Sequence, residues 1–380
     1  MLMIDVATRP LPDRPEFRES TWTMLLGVAA AAVDSSTIGP DSLTGDDIGW
    51  AMLAGTAEAH GLAPLAHACF RANRDACPAA TMRQLDALVL RHRIWHRERT
   101  AALEEILQQF DAASIDAVVL KGAALAWMIY PAPELRPMND VDLLVSSVQA
   151  RSAQLLLRRR GFDANDSGRR FGRNAHHLPV ASRTRNGVTI SVEIHRDALS
   201  RDTLSSIAIG NLTEPPRRFV LNGTAAFALG HVDALRHLTH HLFEPSWDGR
   251  LRLVGVVDLL RYAVAFHEQI DWRRLETSFP FVPNALGCLH YLTPLPALLA
   301  RFSPPNALRP PERVGETVRP LRAMAAGASL PVALKQLFNP PGWWLHAYYG
   351  VPVEQSLTDV RLGRHPWRVA RWLGLRAAGF

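Results

Sequence analysis

Lysine is nearly absent from this chain of 380 residues: only two of its 42 Lys and Arg residues, Lys121 and Lys335, are lysines. Its three cysteines have neither metal-ligand spacing nor an even count for disulfides, so we expect reduced thiols. No apolar run reaches the roughly 18 residues needed to cross a bilayer. The first part of the chain carries several acidic side chains and lacks the apolar core of a signal peptide. These absences argue against a disulfide scaffold and a membrane-spanning protein, and they predict a cytoplasmic location.

The composition predicts a folded protein with a large core, because 48% of the residues are hydrophobic. The formal net charge is +6 at pH 7, and nearly all of the cations are arginines. Against that background, the lysine in Leu120-Lys121-Gly122 indicates a place where a compact ammonium is needed, since arginine and lysine differ in shape and hydration. The alternative is that one of two lysines fell there by chance.

Hydrophobic spacing divides the chain into four predicted regions. Residues 1–112 are predicted to form a helical region, and residues 113–204 combine short β-type runs with helices. Residues 205–300 are again predicted to be helical, and residues 301–380 are rich in proline and arginine and end in a basic helix. We therefore expect an α+β fold in which a small mixed β-sheet is flanked by N- and C-terminal helical regions.

Two carboxylates mark a strand that is predicted at residues 141–146. Asp140 and Asp142 are separated by one apolar residue, and strand side chains alternate between faces, so both acids project to the same side. The same alternation directs Val141 and Leu143 to the core. Like charges held this close repel each other unless a divalent cation neutralises them, and oxygen ligands beside an open cleft suit Mg²⁺. The pair therefore predicts phosphoryl or nucleotidyl transfer.

A third acid lies on a later predicted strand. A hairpin turn signal, Arg185-Asn186-Gly187, separates the strands predicted at residues 174–181 and 188–195. In the second strand Glu193 alternates with apolar residues and shares a face with its polar neighbours. If that strand lies beside the strand of Asp142, three carboxylates converge, which is an arrangement suited to two-metal catalysis.

The combined pattern resembles the polymerase-beta-type nucleotidyltransferases and, within them, the bacterial group of uncharacterised nucleotidyltransferases. The residues that carry the resemblance are Leu120-Lys121-Gly122, Tyr130-Pro131, Arg136-Pro137, the run from Asp140 to Val145, and Glu193 with His195. The resemblance implies a nucleotidyltransferase core at residues 113–204, a nucleoside triphosphate donor, and two Mg²⁺ ions with Mn²⁺ as an alternative. It also implies transfer of a nucleoside monophosphate to an acceptor hydroxyl.

The resemblance further implies roles for individual residues. The expected catalytic residues and metal ligands are Asp140, Asp142 and Glu193, and the expected nucleotide-binding residues are Lys121, Gly122, Ala123 and Arg136. Arg136 has an alternative role as the ion-pair partner of a nearby carboxylate. The chain departs from the wider superfamily at Ala123, which offers no hydroxyl to a phosphate, and at Glu193, where an Asp is commoner. Backbone N–H groups at the start of a helix still bind phosphate.

Several histidines are candidates for acceptor binding or for support of the acids, namely His176, His177 and His195. On the first predicted hairpin strand, His176 and His177 would face opposite sides. His195 shares the face of Glu193 and would tune it, unless it is simply a half-buried structural residue. A further set at helical spacing, His237, His240 and His241, has no matching acid or cysteine nearby, so zinc is not favoured there.

A buried acid is predicted outside this pattern. Asp258 lies within the otherwise apolar run Val256-Val257-Asp258-Leu259-Leu260. A buried carboxylate without a partner is strongly unfavourable, so we expect a structural ion pair with a residue such as Arg252.

Two other classes of function stay open. One is a catalytically silent nucleotide-binding or regulatory protein, which the departures at Ala123 and Glu193 would allow. The other is an arginine-driven adaptor that contacts a membrane surface or a nucleic acid through the basic segment at residues 361–376. We favour packing of that segment on the helical region through its Trp and Leu side over peripheral membrane contact. The acceptor, which could be a small molecule, a sugar, a peptide or an RNA, and the base of the donor are not specified by the sequence.

Overall fold

The computed structural model describes residues 15–34, 43–72, 77–164, 176–199, 206–243, 252–290, 293–303, 338–339, 342–351 and 355–377. Four helices precede the sheet: α1 (Pro15–Val33), α2 (Asp47–Ala59), α3 (Ala63–Ala72) and α4 (Ala79–Ala112). Helix α2 begins after Asp46, whose side chain accepts a hydrogen bond from the backbone N–H of Gly49 at 2.7 Å. The helices predicted in this part of the chain from apolar spacing are confirmed.

A five-stranded mixed sheet in the order β1-β2-β5-β4-β3 forms the centre of the fold. Its strands are β1 (Ala117–Val119), β2 (Val141–Val145), β3 (Asp163–Ala164), β4 (Ala181–Arg185) and β5 (Val188–His195). Strands β2 and β5 are parallel, and the other neighbouring strands are antiparallel. Helices α5 (Lys121–Met128) and α6 (Ala150–Arg159) lie in the connections between strands. The predicted α+β class with a small mixed sheet is confirmed.

The sheet separates two hydrophobic cores because successive side chains of β2 and β5 point to opposite faces. One face packs against α4 and α6 through Val141, Leu143, Val145, Val192 and Ile194. On the other face, Leu144 joins the larger core formed by the N- and C-terminal helices. Asp142 and Glu193 belong to this second face, so the acids project toward the helical regions.

The predicted hairpin turn is confirmed, but the first strand lies later than expected. Asn186 and Gly187 have φ angles of 49° and 76°, the left-handed values that a tight two-residue hairpin turn requires. The strand before them is β4, and not residues 174–181. Pro179 explains the difference, since a proline has no N–H to donate to a strand ladder. Residues 165–175 lie outside the described residues, and His177 forms an isolated antiparallel bridge with His195.

A second hairpin, which the sequence analysis does not predict, precedes the C-terminal helices. Strands β6 (Arg217–Leu221) and β7 (Thr224–Ala228) are joined by Asn222 and Gly223, whose φ angles are 45° and 90°. The Asn-Gly pair was an available signal for this turn. The helices that follow are α7 (His231–Phe243), α8 (Leu253–Ala265), α9 (Trp272–Ser278), α10 (Phe281–Leu289), α11 (Gly342–Tyr349) and α12 (His365–Ala377).

The basic C-terminal segment is helical, as predicted, but it does not pack as expected. Val360 and Val369 are buried, whereas Leu362 and Trp367 are 80% and 63% exposed. The expectation that the Trp and Leu side packs inward is therefore wrong for these two residues.

Residues 304–337 of the predicted C-terminal region lie outside the described residues, and the division into four regions stays a prediction. Within the described residues, no helix is long and apolar enough to cross a membrane.

Candidate functional site

Parallel pairing of β2 and β5 brings two predicted acids side by side. Asp142 and Glu193 are direct partners in the register of these strands, and His195 follows Glu193 by two residues on the same face. Asp142 is only 2% exposed, and Glu193 is half-buried. One oxygen from each carboxylate and one ring nitrogen of His195 all lie within 4.8 Å of one another. The sheet therefore gathers three side chains of the kinds that bind divalent metal ions.

His195 connects the two carboxylates. Its Nε2 lies 2.8 Å from Asp142 Oδ1 and 3.4 Å from Glu193 Oε2, and its side chain is 5% exposed. Burial alone would lower the pKa of His195, but its hydrogen bonds with the two carboxylates raise it above the ordinary value. The hydrogen bond with His195 in turn lowers the pKa of Glu193, against the opposing effect of burial. Glu193 is consequently ionised at neutral pH.

Lys121 reaches the same carboxylate from the start of α5. Its Nζ lies 3.2 Å from Asp142 Oδ1. Burial opposes the charged ammonium, but the acids Asp142, Asp140 and Glu193 raise its pKa above the ordinary value. The backbone of Lys121 has a φ of 45°, a left-handed conformation that costs a residue with a Cβ about 1–2 kcal/mol. The fold therefore holds Lys121 in an unfavourable backbone conformation that places its ammonium beside the acids.

Asp140 and Asp142 have opposite environments, although they are two residues apart. Burial alone would raise the pKa of Asp142, but Lys121 and the hydrogen bond from His195 hold it well below the ordinary value. Asp140 lies just before β2 and is exposed, and it is not part of the three-residue group within 4.8 Å. Partial loss of solvent and the charge of Asp142 raise the pKa of Asp140. Of the three predicted acids, Asp142 and Glu193 therefore lie together, and Asp140 lies outside their group.

Arg136 is held by the buried acid of α8. Its guanidinium donates to both carboxylate oxygens of Asp258, with Nε–Oδ1 at 2.9 Å and Nη2–Oδ2 at 2.6 Å. The Tyr130 hydroxyl donates to Asp258 Oδ1 at 2.7 Å, and the Asp258 side chain is 3% exposed. The predicted ion pair of Asp258 exists, but its partner is Arg136 and not Arg252. A guanidinium fits a carboxylate with two parallel bonds, which suits an arginine whose side chain is 13% exposed beside a buried acid.

Gly122 lies directly against this arginine. A Cβ at position 122 would lie 2.8 Å from Nη1 of Arg136, whose guanidinium is fixed by Asp258. Ala123 follows in the first turn of α5, and its side chain is buried in the core beneath the sheet. The backbone N–H of Leu120 donates to the carbonyl of Asp142 at 3.0 Å, so the turn before α5 is joined to the acid-bearing strand. A larger residue at position 122 would therefore push against a guanidinium that Asp258 holds.

Three histidines surround the edge of the acid cluster. The ring centroid of His176 is 4.4 Å from that of His177 and 6.0 Å from that of His195, and the His177 and His195 centroids are 5.6 Å apart. The expectation that His176 and His177 face opposite sides is wrong, because they precede β4 and do not follow its alternation. Burial, together with the neighbouring histidines, lowers the pKa of His176 to about 3. His176 is therefore a neutral imidazole at neutral pH.

Helix α7 contributes a buried histidine near the acids, which was not expected from the sequence. His237 is 2% exposed, its ring stacks on that of His241 at 6.3 Å, and neither of its ring nitrogens has a partner among the described residues. Burial and the charge of Lys121 lower the pKa of His237 well below the ordinary value. The four-residue spacing of His237 and His241 was the available signal. Within the described part of the chain, His237, His240 and His241 do not form a three-residue metal group.

Comparison with known protein families assigns the chain to one of them. Residues 46–280 match the family described as Uncharacterised nucleotidyltransferase. No curated protein matches the chain. A similar solved structure is the crystal structure of an antigenic nucleotidyltransferase-like protein from Paracoccidioides brasiliensis, with 18% sequence identity and a TM-score of 0.31, and the comparison covers 44% of this chain and 76% of that one. Because the family match spans more than half of the 380 residues, the chain belongs to the uncharacterised nucleotidyltransferase family.

Proposed function

We propose that this protein transfers a nucleoside monophosphate from a nucleoside triphosphate to an acceptor hydroxyl. The observation that carries the proposal is the register of β2 and β5, which places Asp142 beside Glu193. The turn Leu120-Lys121-Gly122 opens a helix next to this pair. Carboxylates for metal binding, a cation, and backbone N–H groups at a helix start are the parts that nucleotidyl transfer needs.

The acid cluster fits a divalent metal. Asp142 and Glu193 offer oxygen ligands within 4.8 Å of each other on the face of the sheet that points to the helices. Asp142, Glu193 and the nearby Asp140 would hold Mg²⁺ or Mn²⁺, in the two-ion arrangement expected from the sequence. Such ions supply positive charge to the triphosphate and to the attacking oxygen as the pyrophosphate departs.

Lys121 and the start of α5 bind the triphosphate in this proposal. The ammonium of Lys121 contacts Asp142 when no other cation neutralises that carboxylate. Once the carboxylate is neutralised, the same ammonium is available to donate to a phosphate oxygen. The backbone N–H groups of Gly122 and Ala123 belong to the first turn of α5, where unsatisfied donors favour an anion.

Arg136 acts as a positioning residue in this proposal. Its guanidinium is occupied by Asp258 and by the carbonyl of Pro137. The same group packs under Gly122, so the ion pair between the loop before β2 and helix α8 fixes the phosphate-binding turn. We therefore assign Arg136 to the support of Gly122, and direct phosphate contact is left to Lys121 and the backbone.

Glu193 accepts the proton of the acceptor hydroxyl. Its pKa is lowered by His195, so it is ionised at neutral pH and ready to receive a proton. It is also the more exposed of the paired acids, with a side chain 22% exposed against 3% for Asp142. An incoming acceptor would therefore meet Glu193 before it meets Asp142.

Metal-dependent triphosphate binding tests the site. In thermal denaturation, Mg²⁺ or Mn²⁺ together with one of the four common nucleoside triphosphates is expected to raise the melting temperature of the full chain. The expected stabilisation is about 2.7 kcal/mol at a hundredfold excess of ligand over Kd, because the ligand binds only the folded state.

Matched Asp-to-Asn changes make this test specific. Asp142→Asn is expected to abolish the shift. Asp271→Asn is expected to keep it, since Asp271 caps the remote helix α9 and Asn is an equally good cap. A wild-type protein that shows no shift with any triphosphate and either metal ion would remove the basis of the proposed site.

A further inference from the structure

We propose that His195 is itself a metal ligand, and that Asp142, Glu193 and His195 form a site that prefers Mn²⁺ to Mg²⁺. This inference rests on the proposed function and adds the identity of the metal to it. It also gives His195 a direct role that carboxylate chemistry alone does not require. Three observations carry it: the distances among the ligand atoms, their chemical types, and the surroundings of the imidazole.

The distances match ligands that share one octahedral ion. Two neighbouring ligands at about 2.1 Å from such an ion lie roughly 3 Å apart. His195 Nε2 lies 2.8 Å from Asp142 Oδ1 and 3.4 Å from Glu193 Oε2, one value just below that separation and one just above it. All three ligand atoms lie within 4.8 Å of one another, so small side-chain rotations bring them to one face of a single ion.

The ligand types favour a transition metal over magnesium. Mg²⁺ binds oxygen ligands and retains water, whereas imidazole nitrogen suits the first-row transition ions. Two carboxylates and one imidazole would occupy one face of the ion. The opposite face would then bind phosphate and water oxygens, so the ion would need six ligands. Mn²⁺ accepts this mixed set of oxygen and nitrogen ligands, while Zn²⁺ in proteins prefers four-coordination. Of the two ions considered in the proposed function, Mn²⁺ and Mg²⁺, the mixed set therefore favours Mn²⁺.

Among the described residues, the ring nitrogen of His195 that has polar partners faces the two carboxylates. Its side chain is 5% exposed, so water does not surround it. Nε2 faces both acids, and Nδ1 is buried without a hydrogen-bond partner among the described residues. Hydrophobic packing alone would not require a ring nitrogen of His195 to lie between two carboxylates.

Pulsed electron paramagnetic resonance of bound Mn²⁺ tests this directly. In the wild-type full chain with Mn²⁺ and no nucleotide, we expect the coupling of a directly bound histidine nitrogen. Labelling of histidine alone with ¹⁵N is expected to replace that coupling with the ¹⁵N pattern. This measurement needs neither turnover nor a variant, so it decides the question even if a His195 variant fails to fold.

Two variants and a competition assign the nitrogen. His195→Gln is expected to lose the coupling, and His177→Asn, which alters a ring 5.6 Å away, is expected to keep it. The Mg²⁺ concentration needed to displace Mn²⁺ is expected to fall about tenfold or more in His195→Gln, because the nitrogen ligand is gone.

The outcomes separate this inference from the proposed function. Bound Mn²⁺ without nitrogen coupling, or a coupling that survives in His195→Gln, would overturn the role of His195 and leave the carboxylate site intact. Failure of the wild type to bind Mn²⁺ would overturn the inference alone, because the proposed function is decided by the melting-temperature shift with Mg²⁺ or Mn²⁺ and a triphosphate. A nitrogen coupling that disappears only in His195→Gln supports the inference.

Discussion

Asp142→Asn is expected to destabilise the metal-free protein by about 3 kcal/mol, while Asp140→Asn leaves its stability unchanged or slightly higher. Asp142 is buried and holds Lys121 at 3.2 Å and His195 at 2.8 Å, so a neutral Asn leaves the ammonium and the imidazole without their charged partner. Asp140 is exposed, and its raised pKa means that the folded state disfavours its charge. Asn at position 140 removes that unfavourable charge.

The pH dependence of the unfolding free energy tests whether the Asp142 carboxylate stabilises the folded state. The pKa of Asp142 is lower in the folded state than in the unfolded chain, so its contribution is complete above the unfolded value of about 4 and is lost as the pH falls below it. The difference in unfolding free energy between wild type and Asp142→Asn should therefore shrink as the pH is lowered from about 4. Equal stability of Asp142→Asn and wild type at pH 7 would mean that Lys121 and His195 do not depend on this carboxylate.

Arg136→Met is expected to cost about 3–5 kcal/mol of unfolding free energy, which is the largest effect on stability that we predict. Among the described residues, the substitution leaves the buried carboxylate of Asp258 with the Tyr130 hydroxyl as its remaining partner. It also removes the group that packs under Gly122, so triphosphate affinity should fall with stability. Chemical denaturation at 25 °C and triphosphate titration measure the two effects.

Two further variants serve as controls for Arg136→Met. Arg93→Met breaks a more exposed pair with Glu134, 3.9 Å apart, and should cost less than about 1 kcal/mol. The double change Arg136→Met with Asp258→Leu removes both buried charges and should recover most of the lost stability. If Arg136→Met is no more damaging than Arg93→Met, the ion pair with Asp258 is not a structural support.

The shared face of Asp142, Glu193 and His195 was predictable from the sequence because strand periodicity is strict. A spacing of two residues puts Asp142 on one face with Leu144, and the same rule puts Glu193 with His195. The sheet class followed from short apolar runs and the Asn186-Gly187 turn, which the structure confirms. These features depend on local geometry, which a sequence specifies directly.

Contacts between residues far apart in the chain could not be predicted in this way. The contact of Arg136 with Asp258 joins residues 122 positions apart, and no local pattern selects Arg136 over the nearer Arg252. The same limit applies to His237, which reaches the neighbourhood of the acids only through the packing of α7. The first strand of the hairpin begins later than expected because Pro179 cannot donate to the ladder, which is a local effect. Tertiary packing decided the other two outcomes.

Transfer of labelled α-phosphate from a nucleoside triphosphate is the most direct measurement of the central claim. The wild-type chain, with Mg²⁺ or Mn²⁺ and cell extract as the source of acceptor, is expected to attach the label to an acceptor and release unlabelled pyrophosphate. Asp142→Asn is expected to lower the rate about a thousandfold or more, which corresponds to about 4 kcal/mol of lost transition-state stabilisation. A wild-type protein that binds triphosphate but transfers label to no acceptor, or an Asp142→Asn variant that transfers at the wild-type rate, would contradict the account.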